Sequence, residues 1–321
     1  MDTSPGRAAY TIGCAHPFPT GAARSGGHPT ESLSVPPRKP SPIGAHVFVG
    51  AGLVSSGLPY ARDVGAQAVQ VFLSNPRGWA ASPGDPAQDE AFRAGCAEAR
   101  MPVFVHAPYL VNLGSPTATT AERSVEAVRH ALARGRRIGA RGVVVHTGSA
   151  VDAAHREAAM QQVRSLLLPV LDSLSDDDPM VLLEHTAGGG QPLASAVGDL
   201  GPYLETLERH PRLGICLDTC HAYAAGHDLA KPGGMRALLT ALVAVAGRGR
   251  LKLVHANDTK DALGSCRDRH TNIGAGRIGS EPFAELFRHP ATRGVPVIVE
   301  TPGKGPEQAA DIALLKSLRD R

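Results

Sequence analysis

The chain has 321 residues, enough for one large domain or two of ordinary size. Hydrophobic residues make up 42% of it but aromatic residues only 4%, so Val, Leu, Ile and Ala must fill the core. It contains no run of about 18 apolar residues, which excludes a membrane span, and a formal charge of +3 permits a polyanionic partner without requiring one.

The first 42 residues differ in composition from the rest of the chain. They are rich in Gly, Pro, Ser and Ala, and they show neither a periodic apolar face nor the hydrophobic region of a secretory signal. We expect residues 1–42 to be a disordered N-terminal extension without organelle targeting, and the protein to be cytoplasmic. The five cysteines form no CxxC pair, which indicates free thiols in a reducing compartment.

From Ile43 onward, short apolar strands alternate with amphipathic helices, the pattern of βαβ units and a parallel sheet. Helices are predicted from a capping box at Thr119 and Glu122, from about Ser280, and from Pro306. Eight strands are predicted to begin at about Ile43, Gln67, Pro102, Gly142, Met180, Leu213, Leu251 and Pro296. Eight such units close most naturally into an α/β fold of the (β/α)8 TIM-barrel type, a single domain over residues 43–321 with its active site at the C-terminal ends of the strands.

Two loops carry information about cofactors and function. The segment GAHVFVGAGL holds Gly50 and Gly52 but lacks the third glycine and the later acidic residue of a dinucleotide site, so no nucleotide cofactor is expected. The segment from Thr259 to Gly279 shows neither helical nor strand periodicity. Loops of this length are usually functional, and this one carries the charged triplet Asp268, Arg269 and His270.

Metal-ligand residues end six successive apolar runs, from PVFVHAPYL to PVIVETP. Burial explains the Val and Leu of these runs but not their polar endings. Because the carboxyl ends of barrel strands converge, the pattern predicts a metal cluster at that mouth. Its candidate ligands are His106, His146, Glu184, Asp218, His221, His255, Asp268, His270 and Glu300.

The five imidazoles and four carboxylates of this set suit zinc, with manganese or iron as substitutes. One zinc ion takes four or five ligands, so nine ligands indicate several ions. Three divalent ions would carry +6 against −4 from the carboxylates, and the remaining +2 would hold a hydroxide and a phosphodiester. His46, inside the first strand, is a candidate for a supporting contact, whereas His185 is expected to point away from the metals.

These motifs resemble the endonuclease IV family of apurinic/apyrimidinic endonucleases over about Ile43 to Leu318. The most specific segments are GICLDTCHAYAAGHDL and HANDTKDALGSCRDRHTNIGAGRIG; shorter ones are IGAHV, HAPYLVNLGSP, HTGS, EHTAG and VIVETP. The resemblance implies a xylose-isomerase-like barrel with three zinc ions per chain.

Carried over by position, the resemblance divides the ligands into three sets. His106, His146 and Glu184 would hold one zinc; Glu184 would bridge to a second, held also by Asp218, His255 and Glu300; and His221, Asp268 and His270 would hold the third. The candidate catalytic residues are Glu300, which would position the attacking hydroxide shared by the first two ions, the bridging Glu184, and His221 beside the ion that stabilises the leaving 3′ oxygen.

The resemblance also implies the substrate, double-stranded DNA that contains abasic sites or blocked 3′ ends. Family members cut 5′ to the abasic sugar and leave a 3′-hydroxyl. The candidate DNA-binding residues are Arg77, Tyr109, Leu110, Asn112 and Arg269. Two positions depart from the family: Gly78 replaces a frequent glutamine after the penetrating arginine, and Thr147 replaces a proline, so we expect altered lesion recognition. A monomer is expected because duplex DNA must reach the open barrel mouth.

Two other functions fit the same fold. A sugar or sugar-phosphate isomerase or epimerase would need one or two ions and a base beside a carbonyl rather than nine ligands. A noncatalytic protein that binds damaged DNA would use Arg77 and Tyr109 without cutting, but loss of catalysis would relax at least one ligand position.

Overall fold

The computed structural model describes residues 40–321. Eight parallel strands close a barrel in the order β1-β10-β7-β6-β5-β4-β3-β2, and a separate antiparallel pair joins β8 to β9. The predicted TIM barrel is confirmed. The strands are β1 (Ile43–His46), β2 (Val69–Val71), β3 (Val103–His106), β4 (Ala140–His146), β5 (Met180–Glu184), β6 (Leu213–Asp218), β7 (Leu251–His255), β8 (Asp258–Thr259), β9 (His270–Thr271) and β10 (Val297–Val299).

Helices cover the outside of the barrel. They are α1 (Leu58–Asp63), α2 (Pro86–Glu98), α3 (Ala118–Arg137), α4 (Arg156–Asp172), α5 (Leu200–Thr206), α6 (Thr219–Ala224), α7 (Gly234–Ala246), α8 (Glu281–Arg288) and α9 (Pro306–Arg319). Within residues 40–321, no helix combines the length and the apolar character that crossing a membrane requires.

The two faces of each strand pack in different layers. On β4, Val144 points into the barrel, whereas Val143 and Val145 pack outward against the helices. The interior layer consists of one residue from each of seven strands or their approaches: Ala68, Phe104, Val144, Leu182, Cys216, Leu253 and Ile298. Because side chains alternate along a strand, the residue two positions after each of these also faces inward, at the C-terminal mouth.

The start of the folded part precedes the predicted boundary at residue 43. Ser41 is buried and its hydroxyl donates a hydrogen bond to the Thr292 carbonyl, 2.7 Å away. The Pro42 carbonyl accepts a 2.9 Å hydrogen bond from the Val297 amide. Most of the predicted disordered extension, residues 1–39, lies outside the described residues.

Two local predictions were wrong. Helix α3 begins at Ala118 rather than after a cap at Thr119, because the Thr117 carbonyl already accepts hydrogen bonds from Thr120 and Ala121, and Thr117 makes no side-chain cap. The long loop after β7 is not free of strand structure, since β8 pairs with β9 at its two ends. Four of the five cysteines lie in the described part, and these four are free thiols as predicted.

Gly44 lies where β1 approaches the segment before β2. A Cβ atom at this position would come 1.7 Å from the Ala68 carbonyl oxygen, a contact that only a backbone shift could relieve. We therefore expect Gly44→Ala to lower the free energy of unfolding by about 3 kcal/mol, the upper range for an overpacked core. The control is Gly198→Ala, where no atom lies within 4 Å of the added methyl group. Equal urea midpoints for the two variants would contradict this close approach.

Candidate active site

The nine predicted ligands meet at the C-terminal mouth, and strand alternation places six of them there. Phe104 precedes His106 by two positions, Val144 precedes His146, and Leu182 precedes Glu184, so each ligand continues an interior row. The strand register places ligands of neighbouring strands side by side: His146 on β4 pairs with Glu184 on β5, and Asp218 on β6 pairs with His255 on β7. Eight residues, among them Tyr109 and Glu300, line a cavity of about 250 Å³ at this mouth.

The first ligand set surrounds one oxygen of the Glu184 carboxylate. Glu184 Oε2 lies 3.3 Å from both His106 Nε2 and His146 Nε2. This oxygen is buried and accepts no hydrogen bond from the described residues. A buried carboxylate oxygen that faces two imidazole nitrogens without a hydrogen bond fits a cation held between the three groups.

The second set shares the other oxygen of Glu184. His255 Nδ1 lies 3.0 Å from Glu184 Oε1, 3.2 Å from Glu300 Oε2 and 3.9 Å from Asp218 Oδ2. One ligand atom from each of these four residues lies within 4.8 Å of the others. The structure therefore brings together the four residues that the family resemblance assigned to one ion.

The third set is completed by the long loop. Asp268 Oδ2 lies 3.2 Å from His221 Nε2, and Asp268 Oδ1 lies 2.9 Å from His270 Nε2. An oxygen of Asp218 also lies close to the ligand atoms of His221 and His270. This contact was not predicted from the sequence. His221 lies in the first turn of α6, where its amide donates a 2.8 Å hydrogen bond to Asp218 Oδ1. The third set is thus adjacent to the second through Asp218.

Hydrogen bonds fix which imidazole nitrogen faces the site. The Nδ1 atoms of His106, His221 and His270 donate to the backbone carbonyls of Ala107, His185 and Glu300, respectively. A carbonyl can only accept, so each Nδ1 carries a proton and Nε2 is the nitrogen left to bind a metal ion. Metal-bound histidines usually donate their other ring N–H in this way.

The loop that carries Asp268 and His270 is anchored by one carboxylate. Asp258 accepts hydrogen bonds from the amides of Thr259, Gly274, Gly276, Ile278 and Gly279, at 2.8 to 3.1 Å. A Cβ atom on Gly276 would lie 2.4 Å from Asp258 Oδ1. The Asp258 hydrogen bonds and the β8–β9 pair hold both ends of the loop against the barrel, so Asp268 and His270 have fixed positions.

Three supporting residues extend the site. Gln70 is fully buried; its Nε2 donates to Glu300 Oε1 at 2.8 Å, and its Oε1 lies 2.9 Å from His255 Nε2. His46 Nδ1 lies 3.0 Å from Gln70 Nε2 and 3.1 Å from Glu300 Oε1, which agrees with the supporting contact predicted for it. Asn257 donates to Asp218 Oδ2 at 2.7 Å and accepts from the Glu300 amide at 2.9 Å.

Gln70 and Asn257 were not predicted from the sequence, although the alternation contained a signal for Gln70. Ala68 belongs to the interior layer, so the residue two positions later must face the same mouth as the ligands. The His185 ring is buried and its Nδ1 donates to the Ser195 carbonyl at 2.9 Å, so this side chain is directed to the protein rather than to the ligand sets.

The acids and imidazoles compensate one another electrostatically. Burial alone would raise the pKa of the Glu184 carboxyl, but His255 and His146 hold that pKa well below its usual value. Burial alone would lower the pKa of the His221 imidazole, but Asp218 and Asp268 raise that pKa well above its usual value. Protons therefore balance the carboxylates when no metal is bound, and metal binding would release them.

The candidate DNA-binding residues divide into two groups. Arg77 and Tyr109 line a cavity of about 870 Å³ that also reaches Glu300, and the exposed fractions of Tyr109 and Leu110 are 50% and 37%. The Asn112 amide instead bridges two loops, with hydrogen bonds to the backbone of Gly114 and Ser149, so its side chain is already engaged within the protein.

Arg269 and the two family departures have defined positions. The Arg269 guanidinium pairs with Asp261 through two nitrogens but stays more than half exposed. The buried Thr147 hydroxyl donates to the Ala194 carbonyl at 3.0 Å, so it is directed away from the adjacent ligand His146. Gly78 leaves the space after Arg77 without a side chain.

Comparisons with known proteins show the family of this chain. A family model described as a xylose isomerase-like TIM barrel matches residues 58–320. A protein of Streptomyces avermitilis named "Probable endonuclease 4" is 58% identical over 297 residues, 92% of this chain and 96% of that protein. The crystal structure of endonuclease IV from Thermus thermophilus matches with a TM-score of 0.76 at 32% identity, over 87% of this chain and 99% of that one.

The chain belongs to the endonuclease IV family. This membership identifies it as an endonuclease, and its His, Asp and Glu groups are consistent with metal use. The likeness to a D-tagatose 3-epimerase-like structure, with 18% identity and a TM-score of 0.64, extends to the fold alone.

Gln70 orients one imidazole and one carboxylate of the second set, so its loss should loosen metal binding. Gln70→Met keeps the volume but removes the hydrogen bonds to Glu300 and His255. We expect the affinity of the weakest-held ion to fall about 10- to 100-fold, as is usual when a residue supporting metal ligands is lost. Competition with a chromogenic chelator measures this metal affinity.

The matched control is Gln161→Met, on the exposed face of α4. Chelator competition curves that coincide for Gln70→Met and the parent protein would show that Gln70 does not support the site.

Proposed function

We propose that this chain is a zinc-dependent endonuclease that hydrolyses the DNA backbone 5′ to abasic sites, leaves a 3′-hydroxyl, and also trims blocked 3′ ends. The observation that carries the proposal is the shared Glu184 carboxylate, whose two oxygens face different ligand sets at 3.0 to 3.3 Å. A carboxylate in this position suits two ions at bridging distance, the arrangement used by enzymes that displace an oxygen at phosphorus.

The three ligand sets would hold three zinc ions. Glu184 would bridge the ion of His106 and His146 to the ion of His255 and Glu300, and Asp268 would hold the third with His221 and His270. When bound, such ions lower the pKa of a water molecule, neutralise the phosphodiester and stabilise the leaving oxygen. The donor atoms are oxygens and imidazole nitrogens in the proportions that zinc accepts.

The residues of the chain would supply position and charge. Glu300 has its carboxylate fixed by Gln70 and His46, so it would orient the attacking water along one direction. Ligands from the barrel strands are held rigidly, which keeps the reacting groups aligned for an in-line displacement. Trimming of 3′ ends would use the same sets, because it breaks the same kind of bond.

The substrate proposal depends on the rim of the mouth. Arg77 and Tyr109 border the cavity that leads to Glu300, where an abasic nucleotide turned out of the duplex would enter. An exposed guanidinium beside an aromatic ring suits a backbone phosphate and an unstacked base. The mouth lies open at one end of a single barrel, so we also propose that the protein acts as a monomer.

The decisive experiment uses a duplex with one abasic-site analogue and the metal-loaded protein. We expect nicking 5′ to the analogue, and a loss on the order of 100-fold or more in Glu300→Gln, because the amide cannot orient the nucleophile as the carboxylate does. Glu98→Gln, an exposed substitution at the end of α2, is the matched control and should cut as the parent protein does.

Binding of the damaged duplex without nicking would favour the noncatalytic alternative. Nicking that is unchanged in Glu300→Gln would contradict the role of this carboxylate, and failure to bind or cut would reject the DNA substrate.

A further inference from the structure

Phe48 is an exposed aromatic residue at the active-site mouth. It lies two positions after the end of β1, and 73% of its surface is accessible, the highest fraction among the exposed large hydrophobic residues in the described part of the chain. A phenyl ring exposed to water lacks the stabilisation that burial of its apolar surface would provide. Such a ring therefore suggests a contact that forms only when a partner is bound.

The surroundings of Phe48 connect it to the reacting groups. Its side chain lines the same 870 Å³ cavity as Arg77, Tyr109 and Glu300. The ring folds beside Gly50, where an added Cβ would come 2.3 Å from its Cζ atom, so the glycine makes room for this ring position. The Lys304 ammonium lies 5.5 Å from the ring centroid.

Other aromatic rings of the cavity pair with one another, whereas the partner of the Phe48 ring is the Lys304 ammonium. Phe72 lies 4.4 Å from the His46 ring and 5.1 Å from the Tyr109 ring, measured between centroids. Among the described residues, no aromatic ring pairs with Phe48 in this way. Its open surface and the neighbouring ammonium suit an electron-rich planar group attached to a phosphate, which is the chemistry of a nucleotide.

Gly78 adds an independent reason for such a contact. The position after Arg77 carries no side chain, so Gly78 has nothing with which to fill space left by a missing base. Phe48 lines the same cavity as Arg77 and offers a flat apolar surface that, among the exposed residues of its lining, only the half-exposed Tyr109 also provides.

We propose that Phe48 stacks on a nucleobase that the lesion leaves without a pair, while Lys304 contacts an adjacent phosphate. This inference rests on the proposed DNA substrate and makes Phe48 a specificity-determining residue for damaged duplex. Stacking on an aromatic side chain is tolerant of base identity, so the contact would recognise the absence of pairing rather than a sequence.

The test measures binding of a duplex that carries 2-aminopurine opposite an abasic-site analogue. Metal-loaded protein with Glu300→Gln keeps the duplex intact, and Phe48→Ala and Phe48→Trp are added to it. We expect Phe48→Ala to weaken binding about 5- to 150-fold, the equivalent of one stack of ~1–3 kcal/mol, and to leave 2-aminopurine brighter in the complex. Phe48→Trp should restore affinity and quenching.

Val151→Ala is the control, since Val151 is 62% exposed and lines neither cavity of the mouth. Equal affinity and equal quenching in Phe48→Ala and its parent would overturn the proposal, even if the unaltered chain cuts the duplex. If the unaltered chain binds the lesion without cutting it, the proposed hydrolysis fails while these binding measurements still decide the role of Phe48.

Discussion

A closed barrel of parallel strands brings the last inward-facing residue of each strand to one mouth. In this chain the interior rows end in imidazoles and carboxylates instead of the branched apolar residues that fill the barrel below. Val144 leads to His146, Cys216 to Asp218, and Ile298 to Glu300. In an unfolded chain these groups are strongly hydrated, but the folded strands hold them within a few ångströms of one another. The remaining features of the site stabilise this crowded arrangement.

Two kinds of interaction make the crowding tolerable. The carboxylates of Glu184 and Glu300 face imidazoles, and hydrogen bonds to backbone carbonyls or to the Gln70 amide determine which nitrogen His106, His221 and His255 present. Gln70 donates a hydrogen bond to Glu300 and Asn257 donates one to Asp218, so both carboxylates have fixed orientations before a ligand binds. A site prepared in this way loses little conformational entropy when metal and substrate bind.

Much of the fold and of the ligand set could be predicted from the sequence, because strand ends are local. In an apolar run that ends in His106 or Glu300, a few consecutive residues indicate both where the strand ends and which ligand type stands there. The partners of Gln70 and Asn257 come from strands far away in sequence, and neither residue type signals a metal site by itself. The Asn112 side chain hydrogen-bonds to the backbone of a neighbouring loop, which the sequence did not indicate, and its contact with DNA stays a prediction.

We propose that the nine ligands form one cluster for three zinc ions around the Glu184 carboxylate. Anomalous diffraction from crystals of the zinc-loaded protein, recorded above and below the zinc absorption edge, locates the ions. We expect three anomalous peaks at the barrel mouth, two of them on either side of Glu184 and the third beside Asp268. A single peak, or peaks away from these nine residues, would contradict it.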